Sequence, residues 1–141
     1  MSPLILKILG TIGKTLIEKV RKILNSRSLI LFAYIFGSQV MGEATMRSDG
    51  DVAIYTSKSM SWKEIIEVQN QLEDNINRKV DLIYLNTAPL LLAYEVISKG
   101  KLILDRDPAS RVEYEVKVLR EFLDIRPRLE EYYRLVLHME S

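Results

Sequence analysis

The stretch FGSQVMGEATMRSDGDVAIY, residues 36–55, decides how this chain is read. An apolar run, SLILFAYIF (Ser28–Phe36), stops at Gly37-Ser38. Ten residues later Asp49 and Asp51 flank Gly50, and a second apolar run, DVAIY (Asp51–Tyr55), begins. Each run has strand length and strand composition, and the first predicts a central strand. Residues two apart on a strand face the same way, so Asp49 and Asp51 project side by side while Gly50 turns to the other face. A carboxylate at the mouth of a buried strand loses hydration and adds nothing to packing, so a cation or a partner has to compensate it. Two of them repel each other unless a cation lies between.

Oxygen ligands on a short rigid element suit Mg²⁺ or Mn²⁺. A third carboxylate, Asp81, sits among Val80, Leu82 and Ile83 in RKVDLIYL (Arg78–Leu85), the third predicted strand. An acidic side chain inside such a run is seldom there for stability. If this strand lies beside the second, Asp81 reaches the same site. Gly37 and Ser38 end the first strand and begin a helical turn over residues 38–43, whose free backbone N–H groups favour an anion. Gly37 admits a phosphate closely and the Ser38 hydroxyl adds a donor. One end of the sheet thus offers a phosphate cradle facing a carboxylate metal site, and a metal–triphosphate fits between them. Arg47, Lys58 and Lys79 flank this site in sequence.

Outside that stretch, composition narrows the field. The 141 residues suffice for one domain with a real core. Twenty Lys and Arg against 19 Asp and Glu leave no global field to steer nucleic acid, so direct nucleic-acid binding is not expected. With no cysteine, disulfides, thiolate ligands and a cysteine nucleophile are excluded, and a single histidine, His138, excludes a multi-histidine zinc site within one chain. The apolar N-terminal stretch is interrupted by Lys7, Lys14, Glu18 and Lys19, too often for a membrane span, and it lacks the pattern of a signal peptide. A cytoplasmic protein is expected.

Ser2-Pro3 predicts the start of a helix with an apolar stripe to about residue 24. Ser61 with Glu64 three residues on forms a capping box for a helix over residues 62–76. A helix from Asn86-Thr87-Ala88-Pro89 to about Ser98 closes at Lys99-Gly100, and KLILD (Lys101–Asp105) reads as a short edge strand. Two helices, 109–124 and 127–139, are expected to be separated at Pro127. The fold class is therefore α+β, a small mixed sheet with helices packed on it. It forms a single domain with an N-terminal helix (1–26), a catalytic α/β core (28–107) and C-terminal helices (108–141). Asp107-Pro108 reads as a helix start rather than a phosphate site. Tyr114, Phe122, Tyr132 and Tyr133, at helical spacing, read as core or partner contacts rather than as a base-stacking surface. The stripe through residues 4–24, with Tyr132, Tyr133, Val136 and Leu137, exceeds what a four-strand sheet must bury, so contact with a partner or a second copy is expected.

Gly37-Ser38, ten residues, Asp49-Gly50-Asp51 and then Asp81 resembles the signature of the DNA polymerase β-like nucleotidyltransferase superfamily. Residues 80–124, VDLIYLNTAPLLLAYEVISKGKLILDRDPASRVEYEVKVLREFLD, are similar to its minimal nucleotidyltransferases, the antitoxins of HEPN/MNT toxin–antitoxin pairs. The likeness spans roughly residues 28–135. It departs from the family pattern at Gly50, usually bulky and apolar, and at Gln39, often arginine or aromatic; neither departure removes a ligand. The resemblance implies a nucleotidyltransferase-like fold, Asp49, Asp51 and Asp81 as metal ligands and catalytic residues, and Gly37 and Ser38 on the nucleotide phosphates. It further implies Mg²⁺ as cofactor, ATP as substrate, and transfer of AMP to a tyrosine of a HEPN-type ribonuclease toxin, with Asp81 helping to deprotonate the attacking hydroxyl. Two alternatives stand beside it: an antitoxin that silences its toxin by occlusion alone, and a small-molecule nucleotidyltransferase of the aminoglycoside-modifying kind, for which a bulky extra substrate domain would be expected.

Overall fold

Four strands and four helices carry the chain in a computed structural model that describes residues 3–36 and 50–140. Gly37, Ser38, Asp49 and the turn expected over 38–43 lie outside the described residues. The order is α1 (Pro3–Asn25), β1 (Ile30–Phe36), β2 (Gly50–Thr56), α2 (Trp62–Ile76), β3 (Val80–Tyr84), α3 (Leu90–Lys99), β4 (Lys101–Asp105) and α4 (Pro108–Glu140). The strands form one sheet in the order β3-β2-β1-β4. β1 runs antiparallel to both its neighbours, whereas β2 and β3 are parallel. Parallel neighbours need a crossover, and α2 supplies it. β1 is central and β4 is an edge, as their composition predicts.

Strand periodicity sorts the core onto two faces. Ala33, Ile35, Val52, Ile54, Val80 and Ile103 pack with Ile17, Val20 and Leu24 of α1 and Val68 and Leu72 of α2. On the other face Phe32, Tyr34, Ala53 and Leu85 pack with Val96 of α3, and Tyr114 of α4 closes over them. The result is helices on both sides of a mixed sheet, the α+β class expected.

Local signals hold where side chains settle them. Ser61 caps α2, its hydroxyl accepting from the Glu64 N–H at 3.2 Å. Asn77 ends the helix in the left-handed region at φ 55°, where asparagine is tolerated. Gly100 follows α3 so closely that a Cβ there would strike the Val96 carbonyl, which accounts for glycine at this stop.

β2 and β3 differ from the sequence reading by one or two residues at their ends, and three further differences have a visible cause. β1 begins at Ile30 because Arg27 and Ile30 are held in a turn, the Ile30 N–H donating to Arg27 O. α3 begins at Leu90, since residues 86–88 are used otherwise. The Asn86 side chain both accepts from the Thr56 N–H and donates to Thr56 O, and the Thr87 N–H closes a turn on Tyr84 O. The largest difference is α4. It runs unbroken through Pro127, so the two expected C-terminal helices are one. Proline there strips a hydrogen bond from the Leu123 carbonyl. Leu123 is exposed, so water can take the freed carbonyl and the helix continues.

Candidate active site

Asp51 and Asp81 are direct register partners in the parallel β2–β3 ladder. Each is the second residue of its strand. Partnered residues on neighbouring strands point to the same face, about 5 Å apart in the ladder direction. The two carboxylates therefore stand together. Asp51 is half-buried and Asp81, on the outer strand, is exposed. The row extends to Phe36, which is the β1 partner of Asp51. Behind it runs a second row, Tyr34, Ala53 and Ile83, packed in the apolar cluster under α3 and α4. The acids thus sit at the rim of the sheet with buried side chains holding both strands in place, a rigid base for a site.

The condition set by the sequence, that the third strand lie beside the second, is met. Gly37 and Ser38 directly follow Phe36 in the chain, and Asp49 directly precedes β2; all three lie outside the described residues. Among the described residues no group of three His, Cys, Asp or Glu is close enough to hold a metal. What the described residues bring together is a pair. Two hard oxygen donors side by side fit Mg²⁺ or Mn²⁺, which take carboxylates, waters and substrate phosphates. Lys79 precedes β3 at the same end and is exposed. Lys58 does not join it, because it follows β2 at the opposite end, where its carbonyl accepts from Thr56 Oγ1 at 2.6 Å. Arg47 lies outside the described residues.

A second polar cluster on the same face was not singled out by spacing. Arg111 donates through Nε to Asp105 Oδ2 at 2.9 Å and through Nη1 to Glu115 at 3.3 Å. Tyr34 Oη, on a ring that is 2% exposed, donates to Glu115 Oε1 at 2.5 Å. Burial first, and then this bond to Glu115, push the Tyr34 hydroxyl far above its ordinary range. The Arg111–Glu115 spacing on a helix was the one local hint. Its union with Tyr34 and Asp105 needed the fold.

The other residues weighed in the sequence find structural roles. Asp107 caps α4, with Oδ1 accepting from the Ser110 N–H at 3.2 Å and Oδ2 from the Ser110 hydroxyl at 2.7 Å, bonds that hold its carboxyl below the usual range. Arg106 donates to the carbonyl of Arg27 and to Asn25, tying the β4–α4 turn to the end of α1. Tyr114 packs at a tilt against Tyr55 and Phe32 and donates to Leu85 O at 3.0 Å. Its hydroxyl is pushed up to about 12, by burial first and then by Tyr55 and Glu121. Phe122 stacks on Tyr94 with ring centroids 3.6 Å apart. Tyr132 and Tyr133 remain exposed. No described helix is long and apolar enough to cross a membrane.

Against known proteins, the profile of the Polymerase beta, Nucleotidyltransferase family matches residues 18–109. A Methanocaldococcus jannaschii chain with the provisional name protein adenylyltransferase is 35% identical over 74 residues, 52% of this chain and 76% of the relative. Among solved structures, a tri-AMPylated Shewanella oneidensis HEPN toxin in complex with MNT antitoxin superposes at a TM-score of 0.72, with 20% identity over 89% of this chain and 98% of that one. A toxin–antitoxin with AMP-PNP superposes at 0.75, with 21% identity over 86% and 98%. At these identities the structural matches establish a common fold.

Proposed function

Because the chain belongs to the polymerase beta nucleotidyltransferase family, we propose that it is an antitoxin that transfers AMP from ATP to a tyrosine hydroxyl of a HEPN ribonuclease toxin and so silences it. The observation that carries this reading is the in-register pairing of Asp51 with Asp81. Two carboxylates held in register on a rigid sheet rim form a pair of hard oxygen donors of the kind Mg²⁺ or Mn²⁺ takes beside substrate phosphates. The name of the Methanocaldococcus relative and the AMPylated toxin in the Shewanella complex support both the reaction and the class of acceptor.

In this reading Asp51 and Asp81, with Asp49, are the residues that hold Mg²⁺ or Mn²⁺. When bound, the ion supplies positive charge against the charge developing on the transferred phosphoryl group and the departing pyrophosphate. Gly37 and Ser38 bind the nucleotide phosphates and fix their direction. The tyrosyl oxygen forms a bond to the α-phosphorus while the bond from that phosphorus to the α–β bridging oxygen breaks. Pyrophosphate leaves with that oxygen and the phenolic proton passes to Asp81. Asp81 suits that task because it is the exposed acid on the outer strand, where an incoming protein can reach it. Asp51, half-buried and held between β1 and β3, is the fixed member.

The test is to incubate the full chain with ATP, Mg²⁺ and its cognate HEPN toxin, and to read the mass of that toxin. The expected result is one or more AMP increments on a tyrosine, with no increment when Asp51→Asn replaces the native chain. A toxin silenced at unchanged mass would overturn the reading in favour of simple occlusion.

A further inference from the structure

Val80 opens β3 with its side chain buried in the cluster under α1 and α2. Its neighbours in an extended chain turn to the opposite face, so Lys79 shares the face of Asp81. Two residues at about 3.3 Å each carry it roughly 7 Å beyond Asp81, towards the open end of the sheet. Lys79 is exposed, and among the described residues it enters none of the ion pairs.

Other described cations on or beside the strands are committed or face elsewhere. Lys101 opens β4 at the same end, but as the partner of Ile35 it turns to the α1 and α2 face. Lys99 pairs with Glu95 at 3.0 Å, and Arg111 is shared by Asp105 and Glu115. Arg78 has an interaction of its own. Lys58 lies at the far end of β2. Lys79 is therefore the cation that the described strands leave on the dyad's face, at its open end, with no acid holding it.

The side of the dyad on which it stands decides its use. Across the rim the order is Phe36, Asp51, Asp81, and the chain passes from Phe36 directly to Gly37 and Ser38. In the proposed reaction the phosphates are thus held from the β1 side. In-line displacement sets the entering and leaving oxygens on opposite sides of phosphorus. The entering oxygen therefore comes from the β3 side, where Lys79 flanks Asp81, two strand spacings of about 4.8 Å from β1. We propose that Lys79 is a further catalytic residue, on the acceptor side: its ammonium donates a hydrogen bond to the tyrosyl oxygen while Asp81 takes the phenolic proton. The ammonium keeps its own protons throughout. It offsets the negative charge that gathers on the oxygen before the bond to the α-phosphorus is complete. A cation beside a base suits a phenol, whose ordinary pKa of about 10 lets its oxygen carry charge. The inference rests on the AMP-transfer reading of this site.

Steady-state transfer of AMP from labelled ATP to the cognate HEPN toxin, with Mg²⁺ and the full chain, tests it. Lys79→Met, which keeps length and loses charge, should lower turnover at saturating ATP about thirtyfold, with an unchanged circular dichroism spectrum. The loss is smaller than for a buried oxyanion donor because Lys79 is exposed. The KM for ATP, and the affinity for MgATP measured without toxin, should stay within about twofold of native, since the lysine meets the acceptor and not the nucleotide. Lys79→Arg should recover most of the turnover, because it restores the cation. A loss confined to the KM for ATP would put Lys79 on the phosphates, and one confined to the KM for toxin would make it a docking contact. Native turnover in Lys79→Met would make it a solvated surface charge. Each of these overturns the inference, as does a Lys79→Arg chain no faster than Lys79→Met. A native chain that adds no AMP overturns the underlying reading and this inference together, so the two failures are told apart.

Discussion

Two groups of carboxylates occupy the same face of the sheet and follow opposite rules. Asp105 and Glu115 share the guanidinium of Arg111, and Glu115 also accepts from the buried Tyr34 hydroxyl. Asp51 and Asp81 are set side by side by strand register, acid against acid. The first group joins β1, β4 and the start of α4 by opposite charge and hydrogen bonds, as expected of groups serving the fold. The second sets two acids beside each other at a sheet rim, the arrangement a carboxylate metal site requires. Acidic residues alone therefore do not mark a site. The sign of what the fold sets beside them does.

That contrast can be broken by substitution, and the largest effect should fall on activity. Asp51→Asn should lower AMP transfer to the toxin by about three orders of magnitude, the equivalent of the several kcal/mol that charge neutralisation supplies in the transition state. Rates measured by labelled ATP check this. A variant within tenfold of the native rate would remove the dyad from the chemistry. Tyr34→Phe should leave the rate alone and cost about 1.5–3 kcal/mol of stability, since it removes a buried donor to a charged acceptor. Urea denaturation reads that loss directly, and an unchanged midpoint would show the Tyr34–Glu115 bond contributes nothing net.

The tyrosine also gives the contrast a pH signature. The Tyr34 and Tyr114 hydroxyls titrate above their ordinary 10.0 when folded. A raised folded-state pKa contributes stability that is complete below the unfolded value and is lost as pH rises towards the folded one. Stability should hold up to about pH 10 and fall beyond it. The fall should be shallower in Tyr34→Phe, checked by melting temperatures between neutral and alkaline pH. The smallest effect expected is on the stability of the apo dyad. Asp81→Asn should leave stability within about 0.5 kcal/mol of native or raise it slightly, because it relieves repulsion at an exposed position. Asp105→Asn should lower it, because Arg111 loses the nearer of its two ionic partners. Equal losses from the two substitutions would erase the distinction between the clusters.

Much of this could be read from residues alone. Strand composition placed β1, β2, β3 and β4 within two residues of their ends, Ser61 and Glu64 marked the start of α2, and Asp107-Pro108 marked the start of α4. These features depend on neighbours in the chain: side-chain alternation, a cap three residues ahead of its donor, a ring that presets one torsion. The spacing of Asp49 and Asp51, with Asp81 inside an apolar run, likewise named the candidate acids before any fold was known.

Tertiary structure decided what local signals cannot carry. Asp81 reaches Asp51 only because α2 returns the chain to a parallel strand in a register that matches the second residue of each; a shift of one residue would send one acid to the opposite face. The cluster of Tyr34, Asp105, Arg111 and Glu115 joins residues 81 positions apart, and no periodicity predicts it. Pro127 reads locally as a break, yet α4 continues because the carbonyl it strips lies at an exposed surface. Sequence by itself determined which segments are helix or strand and which acids are out of place in them. Only packing decided which of those acids meet, because contact between distant residues depends on strand order and register, and these are fixed by burial of the whole core rather than by any one segment.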